Sequence, residues 1–380
     1  MFTQKEMLRD GVSMTFGQTY SFDLPKSGQL ESLVLYIRST AVSNAFLTVR
    51  KWRLIDYISK IEVIGDGVEV IKSFDGRQAL ASAFYDDFRE PVSMWRTYAT
   101  TSQRQWIPIH FGRGFLDEIY GLDLSRFNQV TLKITNDASG TYFSTDVTLS
   151  IMAIWKREEP TPFQGYFREE DWKTWAPVAA GWEYNDLPLG LPIRRILLRA
   201  RPGVDAADAK NNSSLHRLMD DIDFTLRSGQ TRVYRGDLEM LGHVSVMEMP
   251  ALAETQGNVD RTQGYGFETH VGYVTQALGY GQGDTDGLTT ALAYLRKDVQ
   301  ESAQESGYRP ANGPLGWVAR GHGYGHCVPL YYARKPNLED LLIPEDVKQV
   351  AVNIQCRTGT TVSGDSELAQ NAIVLSRLVR

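Results

Sequence analysis

The sequence predicts an all-β protein in which two β-sandwiches follow one another along the chain. Three observations lead to this prediction: an internal repeat, apolar residues that alternate with polar ones, and turn residues between the alternating runs. The repeat is centred on residues 54–80, and a second version occupies residues 218–241. In the second version Ile222, Phe224 and Leu226 alternate with polar residues before a Ser-Gly turn, a pattern typical of a half-buried hairpin strand.

The segments around this hairpin recur in the same order, so the repeat is longer than one hairpin. The tripeptide Asp-Leu-Pro occurs at 23–25 and again at 186–188, at an offset of 163 residues. Farther along, the proline-marked strands around Pro108 and Pro329 recur at an offset of 221 residues. The sequence therefore predicts two copies of one domain, with an insertion of about 58 residues in the second copy.

Alternating and apolar runs place the individual strands of each copy. In the first copy the predicted strands are residues 33–37, 46–49, 58–64, 68–72, 106–111, 130–135 and 147–155. In the second copy they are residues 193–200, 222–226, 233–234, 243–247, 328–332, 350–355 and 372–378. Apolar residues with helical spacing predict a short helix at 77–88 that packs across one end of the sheets.

The strands divide the chain into domains and connecting segments. Residues 1–19 are predicted as an N-terminal arm, in which Met7 and Leu8 could form one side of a helical turn. The first sandwich is assigned to residues 20–157 and the second to residues 186–380.

Residues 158–185 are predicted as a linker, because the prolines at its start cannot continue a strand ladder. This linker is unusually aromatic, and its rings are Phe163, Tyr166, Phe167, Trp172, Trp175 and Trp182. We interpret them as packing the linker onto both domains, with a ligand-stacking platform as the alternative.

The insertion in the second copy spans approximately residues 251–325 and is rich in glycine and aromatic residues at both ends. Residues 288–304 within it have a more helical character. Long excursions from a compact domain are usually functional or bound to a partner, so the insertion is a candidate interaction segment.

Composition excludes several classes of protein. The net charge of −6 argues against a protein that binds nucleic acid over most of its surface, although a local basic face is compatible with it. Two cysteines, Cys327 and Cys356, exclude a disulfide framework; free buried thiols are the ordinary interpretation and one bridge is the alternative. Because the sequence has neither a membrane-span-length apolar run nor a signal-peptide core, we expect a soluble protein made in the cytosol.

Four groups of residues were considered as chemical sites. His322, His326 and Cys327 lie close in sequence, but the intervening glycines disfavour the helix that would bring both imidazoles to one metal ion. The glycine-rich run at 279–283 lacks the Gly-Lys-Ser/Thr ending of a phosphate loop, and a flexible loop is the default interpretation.

The other two groups are histidines and arginines. The remaining histidines considered, His110, His216, His243 and His270, are isolated from one another, which counts against a cupin-like enzyme. Four arginines along one strand could meet acidic partners, although a solvated or interface face is the more ordinary interpretation: Arg194, Arg195, Arg199 and Arg201. The sequence therefore predicts no enzyme and no catalytic, cofactor-binding or metal-binding residues.

The order of its landmarks resembles one protein family. An Asp-Leu-Pro entry strand, a hairpin SKIEVIGDGVEVIKSFDG, a strand WIPIHFG and a strand YGLDLSRFNQVTLKITN follow one another. In this order the chain is similar to the double jelly-roll major capsid proteins of tailless icosahedral double-stranded DNA viruses. The resemblance covers nearly the whole chain and is strongest from residue 58 to residue 136. It implies two tandem eight-stranded jelly-roll sandwiches, with short helices and a long insertion in the second.

The resemblance also implies a structural function. Such proteins form homotrimers with a pseudo-hexagonal base, and these capsomers tile an icosahedral shell, commonly over an internal membrane. The insertion at 251–325 would then be a tower or a clasp between subunits, and residues 1–19 would face the shell interior or a neighbouring capsomer. Implied partners are other copies of the chain, neighbouring capsomers, minor capsid and vertex proteins and an internal viral membrane, without sequence-specific nucleic acid binding. A jelly-roll carbohydrate-binding or spike protein is the alternative function.

Overall fold

The computed structural model describes residues 2–40, 53–94, 102–138, 143, 146–157, 162–201, 218–248, 253–260, 267–268, 271–282, 290–294, 302–303, 314–331, 341–356 and 370–380. Strands of the first half are β1 (Phe2–Met14), β2 (Gln18–Asp23), β3 (Gln29–Thr40), β4 (Ile58–Gly65), β5 (Glu69–Phe74), β6 (Ser93–Met94), β7 (Ser102–His110), β8 (Leu122–Asp123), β9 (Val130–Asn136) and β10 (Val147–Arg157). Strands of the second half are β11 (Tyr166–Trp175), β12 (Trp182–Glu183), β13 (Ile193–Arg201), β14 (Asp221–Leu226), β15 (Thr231–Gly236), β16 (Ala253–Asp260), β17 (Phe267–Glu268), β18 (Val271–Gln282), β19 (Thr290–Tyr294), β20 (Ser302–Ala303), β21 (Pro314–Tyr324), β22 (Cys327–Tyr331), β23 (Val350–Gln355) and β24 (Gln370–Val379).

Three α-helical segments accompany these strands in the described chain: α1 (Gly76–Asp87), α2 (Leu238–Glu248) and α3 (Pro344–Val347). Short 3-10 turns lie at Leu54–Tyr57 and Leu124–Arg126. None of the helices in the described chain is long and apolar enough to cross a membrane.

The internal repeat is confirmed by the order of strands within the sheets. In the first half, β1-β10-β3-β7 form one layer and β2-β9-β4-β5 form the other. In the second half, β11-β24-β13-β22 and β12-β23-β14-β15 have the same two orders. Each half is thus a sandwich of two four-stranded layers, to which the first adds β6 and β8. The predicted architecture of two tandem eight-stranded jelly rolls is confirmed.

Each sandwich has its own apolar core, formed where the inward faces of its two layers meet. In the first, Leu35 and Ile107 of one layer share a buried cluster with Ile61 and Leu132 of the other. In the second, residues of β13 and β24 share a separate buried cluster with residues of β14 and β23. This arrangement follows from the period of two along each strand, which directs every second side chain inward.

The two sandwiches are fused through one continuous sheet, which the sequence analysis did not predict. Strands β5 and β11 pair in parallel, with Glu169 opposite Lys72 and Glu170 opposite Ser73. The resulting sheet has eight strands in the order β2-β9-β4-β5-β11-β24-β13-β22. We refer to the region around the β5–β11 pair, together with α1 and β13, as the seam.

The segments that begin each half both contain strands, and one prediction about them is corrected. The suggested helical turn at Met7 and Leu8 is wrong, because both residues lie in β1, which pairs antiparallel with β10. The segment 158–185, predicted as a linker, contains β11 and β12, and β11 occupies the same position in its sheet as β1 does. The domain boundaries stay a prediction, and the strand order favours assigning β1 and β11 to the sandwiches themselves.

The interpretation that the aromatic rings of segment 158–185 pack onto both domains agrees with the structure. Tyr166 belongs to the first core, whereas Trp172 and Trp175 pack against the second. Phe167 joins a small third cluster with Tyr120 and Leu378. Segment 158–185 therefore contributes packing to both sandwiches.

Two secondary-structure predictions in the second half are wrong. The strand predicted at 243–247 is wrong, because these residues lie in α2. Helix α2 follows the β14–β15 hairpin as α1 follows the β4–β5 hairpin, and α1 itself confirms the helix predicted at 77–88. The helical character predicted for 288–304 is also wrong in its described part, which forms β19 and β20. The strand predicted at 46–49 lies outside the described residues.

The described part of the insertion forms sheets of its own. Strands β16, β21, β18 and β19 make a four-stranded antiparallel sheet, and β17 pairs with β20. Long β21 then leads through a tight turn into β22 of the second sandwich, so the insertion is continuous with that sandwich.

Candidate functional site: the seam between the sandwiches

Helix α1 is placed at the seam by its own sequence. Asp75 precedes the helix, and its side chain accepts a hydrogen bond of 2.8 Å from the backbone N–H of Gln78. The backbone N–H of Asp75 in turn donates a hydrogen bond of 2.8 Å to Gln78 Oε1, which completes a capping box. Residues 76–85 are all buried, so this helix lies inside the protein rather than across one end of the sheets.

Five side chains from α1, β5, β11 and β13 form a buried polar cluster that we call the seam network: Lys72, Ser82, Asp86, Glu169 and Arg195. Glu169 is at its centre. It accepts hydrogen bonds from Lys72 Nζ at 2.9 Å, from Ser82 Oγ at 2.8 Å and from Arg195 Nη2 at 2.9 Å. The other end of the Arg195 guanidinium reaches Asp86 Oδ1 at 2.7 Å.

The electrostatics of this cluster depend on complete pairing. Burial acts to raise the pKa of Glu169, but the charges of Lys72 and Arg195 and the hydrogen bonds from Lys72 and Ser82 outweigh it and lower that pKa. Glu169 is therefore ionised in the folded protein. Since a buried charge without its partner is very costly, the network permits one relative placement of helix and strands.

Further ion pairs extend across the seam on both sides of the network. Arg199 of β13 pairs with Asp75, the residue that caps α1. Arg377 of β24 pairs with Glu170 of β11. Asp86 also forms an ion pair with Arg194, with 2.9 Å between Asp86 Oδ1 and Arg194 Nη1. The pairs of Arg194 and Arg199 join the second sandwich to the first, whereas the pair of Arg377 with Glu170 lies within the second sandwich.

A polar cleft of about 290 Å³ opens beside these ion pairs, and we call it the seam cleft. Its lining includes Asp75, Arg77 and Arg199, together with the carboxylates of Asp137 and Asp171. The described residues contain no group of three or more metal-ligating side chains with the geometry to hold a metal ion. This cleft therefore offers a polar surface rather than a metal centre.

One arrangement in the first sandwich has the composition of a catalytic triad. His110 Nδ1 lies 2.8 Å from Ser32 Oγ, and His110 Nε2 lies 2.9 Å from Asp87 Oδ2. Burial acts to raise the pKa of Asp87, but its hydrogen bond with His110 and the nearby charges lower it, so the ionised carboxylate accepts a hydrogen bond from His110 Nε2. Ser32 is completely buried and does not line the seam cleft, so its hydroxyl is closed to a substrate in solution. We interpret the three residues as a structural clip between β3, β7 and α1.

The structure separates the residues that the sequence placed together as a weak metal candidate. His322 packs against His243 with 4.5 Å between ring centroids, whereas His326 Nδ1 lies 3.1 Å from Arg77 Nη1. Burial and the nearby His243 lower the pKa of His322 to about 4. The sequence analysis treated His243 as isolated and missed this contact, because the two histidines lie on α2 and β21.

Both cysteines are free and buried, as the sequence analysis favoured. Burial raises the pKa of Cys327 to about 12 and that of Cys356 to about 11. The glycine-rich run near residue 280 is not a loop in its described part, because residues 279–282 are the last residues of β18. His216 and His270 lie outside the described residues.

The arginines of β13 are neither solvated nor free for acidic partners. Arg194, Arg195 and Arg199 are buried and pair with carboxylates of Asp86, Glu169 and Asp75 in the same chain. Their role as interface residues was predicted as one of two interpretations, but the interface lies within the chain. The partner carboxylates were missed, since nothing in the sequence places α1 beside β13.

Solved structures with this architecture span the whole chain. The crystal structure of the STIV major capsid protein (MCP) covers 99% of this chain and 96% of its own, with a TM-score of 0.57 and 9% identity. The major capsid protein of bacteriophage PM2 covers 100% and 98%, with a TM-score of 0.53 and 10% identity. The PBCV-1 virus capsid model covers 99% and 93%, with a TM-score of 0.53 and 11% identity.

Sequence comparison adds nothing to this structural likeness: no protein-family model and no curated protein matches the chain. At identities near 10% the likeness establishes the fold. This chain has the double jelly-roll fold.

Proposed function

We propose that this chain is the major capsid protein of an icosahedral double-stranded DNA virus and that its function is structural, not enzymatic. One observation carries the proposal: the described chain contains two fused jelly rolls, and the capsid proteins that share this fold match nearly its whole length. In the proposed assembly, three copies form one capsomer and capsomers tile the shell.

The geometry of the seam supports this role. A homotrimer of double sandwiches presents six similar sandwiches, which gives a three-fold assembly a pseudo-hexagonal outline. That outline requires each pair of sandwiches to keep a fixed relation, and the shared eight-stranded sheet and the seam network supply it. A flexible linker between independent domains would not keep the two sandwiches in a fixed relation.

The proposal also assigns roles in assembly to the insertion and to strand β1. The insertion at 251–325 forms a tower or a clasp between subunits, and it leads into β22 of the second sandwich. Strand β1 lies at the edge of its sheet, where a neighbouring capsomer or the shell interior is accessible. Minor capsid and vertex proteins and an internal membrane are the proposed further partners. The proposed location is the virion, after synthesis in the host cytoplasm.

The mass of the purified protein in solution tests the proposal directly. We expect trimers by multi-angle light scattering and pseudo-hexagonal particles by electron microscopy. A chain that stays monomeric at every concentration would exclude the capsid function.

Exposed aromatic residues support one alternative, a carbohydrate-binding or spike protein. Tyr184 is 71% exposed and stacks on Trp182 with 6.2 Å between ring centroids, and exposed rings of this kind can stack on sugars. Glycan binding by a monomer, lost on Tyr184→Ala, would favour this alternative over the capsid.

A further inference from the structure

The outward face of the first sandwich carries an unusual set of side chains on β3 and β7. The two strands pair so that Val34 faces Pro108, Tyr36 faces Trp106 and Arg38 faces Arg104. The residues between them, such as Leu35 and Ile107, are buried in the core, so these three pairs point away from it. We call Tyr36, Arg38, Arg104 and Trp106 the arginine–aromatic face.

The aromatic pair is ordered although it is not fully buried. The rings of Tyr36 and Trp106 stack with 4.6 Å between centroids and an angle of 29° between planes, and both side chains are half-buried. The residues of β10 opposite Tyr36 and Arg38 are Ser150 and Thr148. The next row along the strands is apolar, since Met152 lies opposite Val34 and Met7 opposite Met152. Met7 is 48% exposed. The face therefore presents an apolar row next to a stacked aromatic pair.

The arginines of the face are unfavourable in the isolated chain. Arg38 and Arg104 are both exposed, and they lie directly opposite each other on adjacent strands. Like charges in this relation destabilise a sheet. Neither arginine forms an ion pair with any residue of the described chain, in contrast with Arg232 and Arg235, which pair with Asp223 and Asp221. A pair that costs stability and has no ion-pair partner among the described residues favours a partner outside the chain.

We propose that the arginine–aromatic face is a contact surface for a second copy of this chain, which meets it with a different, acidic part of its surface. Tyrosine, tryptophan and arginine are the residues most enriched in the energetically dominant parts of protein interfaces. The inference rests on the proposed capsid function and names the residues through which copies within one capsomer associate.

Charge determines which part of the second copy binds. If two identical faces met across a two-fold axis, four arginines would lie together, so a contact between two different surfaces is favoured. Contacts of that kind close into rings, as a trimer requires. The chain supplies the opposite charge, with 46 acidic against 40 basic residues. Its described surface holds carboxylates without ion-pair partners, such as Asp137 and Asp171 at the seam cleft.

Nucleic acid and anionic membranes are less well matched to this face. Both present dense negative charge and require an extended basic surface. Two arginines beside an apolar row, on a chain with a net charge of −6, do not form such a surface. A protein partner with a few carboxylates and apolar groups matches both halves of the face.

The test is sedimentation velocity of the full chain over a concentration series at low and high salt. We expect the wild type to form trimers, and Arg38→Gln/Arg104→Gln to shift the trimer midpoint to at least tenfold higher concentration with a weaker salt dependence. The matched control is Arg232→Gln/Arg235→Gln, which removes two exposed but internally paired arginines and should leave the midpoint unchanged.

A folding defect can be distinguished from a lost contact. Removing the opposed arginines relieves repulsion, so we expect the double variant to melt at the same temperature as the wild type or higher. A second variant, Trp106→Leu, removes the stacked ring while keeping an apolar side chain and should also weaken association.

The possible outcomes separate this inference from the proposed function. Wild-type trimers with equally stable trimers of both variants would overturn the inference and leave the capsid function standing. A monomeric wild type would overturn both. Binding of duplex DNA or of phosphatidylserine vesicles that the double variant loses, with trimers intact, would overturn the inference in favour of those partners.

Discussion

Arg195 Nη2 lies 2.9 Å from Glu169 Oε1, and the Arg195 side chain has no exposure to solvent. Both residues belong to the second sandwich, Glu169 on β11 and Arg195 on β13, and β11 is the strand that pairs with β5 of the first sandwich. Their ion pair, with the bonds from Lys72 and Ser82 to the same carboxylate, joins α1 to the shared sheet.

Arg195→Met should destabilise the protein strongly, because it leaves Asp86 without its shortest ion pair and Glu169 with one charged partner fewer. Removal of one partner of a buried ion pair costs about 3–5 kcal/mol. We expect a loss of this size in the free energy of unfolding from urea denaturation. Arg232→Met, at an exposed ion pair, is the control and should cost less than about 1 kcal/mol. Equal effects of the two substitutions would contradict a special role of the seam network.

His322 should make the stability depend on pH between about 6.5 and about 4. Its folded pKa lies below its unfolded value, so in this window the unfolded chain binds a proton that the folded chain does not. Stability is therefore lost as the pH falls, by at most about 1.4 kcal/mol per pH unit. Denaturant titrations across this range should show a smaller slope for His322→Gln than for the wild type.

The matched variant in this case is His243→Gln. Because burial is the larger cause of the shift at His322 and His243 the smaller, this variant should keep most of the pH dependence. A slope that His322→Gln leaves unchanged would show that another group titrates in this window.

Gly165→Ala should destabilise the start of β11. Gly165 has φ of +151°, and an added Cβ would lie 2.1 Å from the carbonyl oxygen of Val379 near the C-terminus. Gly67→Ala is the control, since Gly67 also has positive φ (+74°) but no atom within 4 Å of an added Cβ. We expect about 1 kcal/mol for the control and distinctly more for Gly165→Ala, measured by thermal unfolding. Comparable losses of stability in the two variants would mean that the C-terminal residues near Val379 move away from the added methyl group at little cost.

The two helix-capping aspartates should differ in their contribution to stability. Asp237→Ala removes the cap of α2, where Met240 N–H donates to Asp237 Oδ1 at 2.6 Å, and should cost about 1 kcal/mol. Asp75→Ala removes the cap of α1 and also the partner of buried Arg199, so its cost should be larger. Urea denaturation of both variants measures the difference, and a smaller loss for Asp75→Ala would argue against the seam ion pair.

Both thiols should be unreactive in the folded protein. Burial raises the pKa of Cys327 to about 12 and of Cys356 to about 11, so almost no thiolate forms at neutral pH. We expect a thiol reagent such as DTNB to react with two equivalents only after denaturation. Rapid reaction of one thiol in the native protein would place that cysteine at the surface.

The sequence by itself determined the duplicated all-β architecture. The constant offset of the Asp-Leu-Pro segments and the alternation around residue 222 are local in the chain, and strand period directly reports which face is buried. The same reasoning located α1. The strand predicted at 243–247 is wrong, because a short apolar pattern fits a strand as well as a helix. These residues lie in α2, the counterpart of α1 in the repeat.

Only the tertiary structure decided how the two copies are joined. The parallel pairing of β5 with β11, the contact of His243 with His322 and the ion pair of Arg195 with Glu169 depend on non-local pairing. No local spacing encodes such contacts, because they form between strands and helices that are far apart in the sequence. The sequence could show that Arg194, Arg195 and Arg199 lie on one strand, but their partners depend on α1 lying inside the seam.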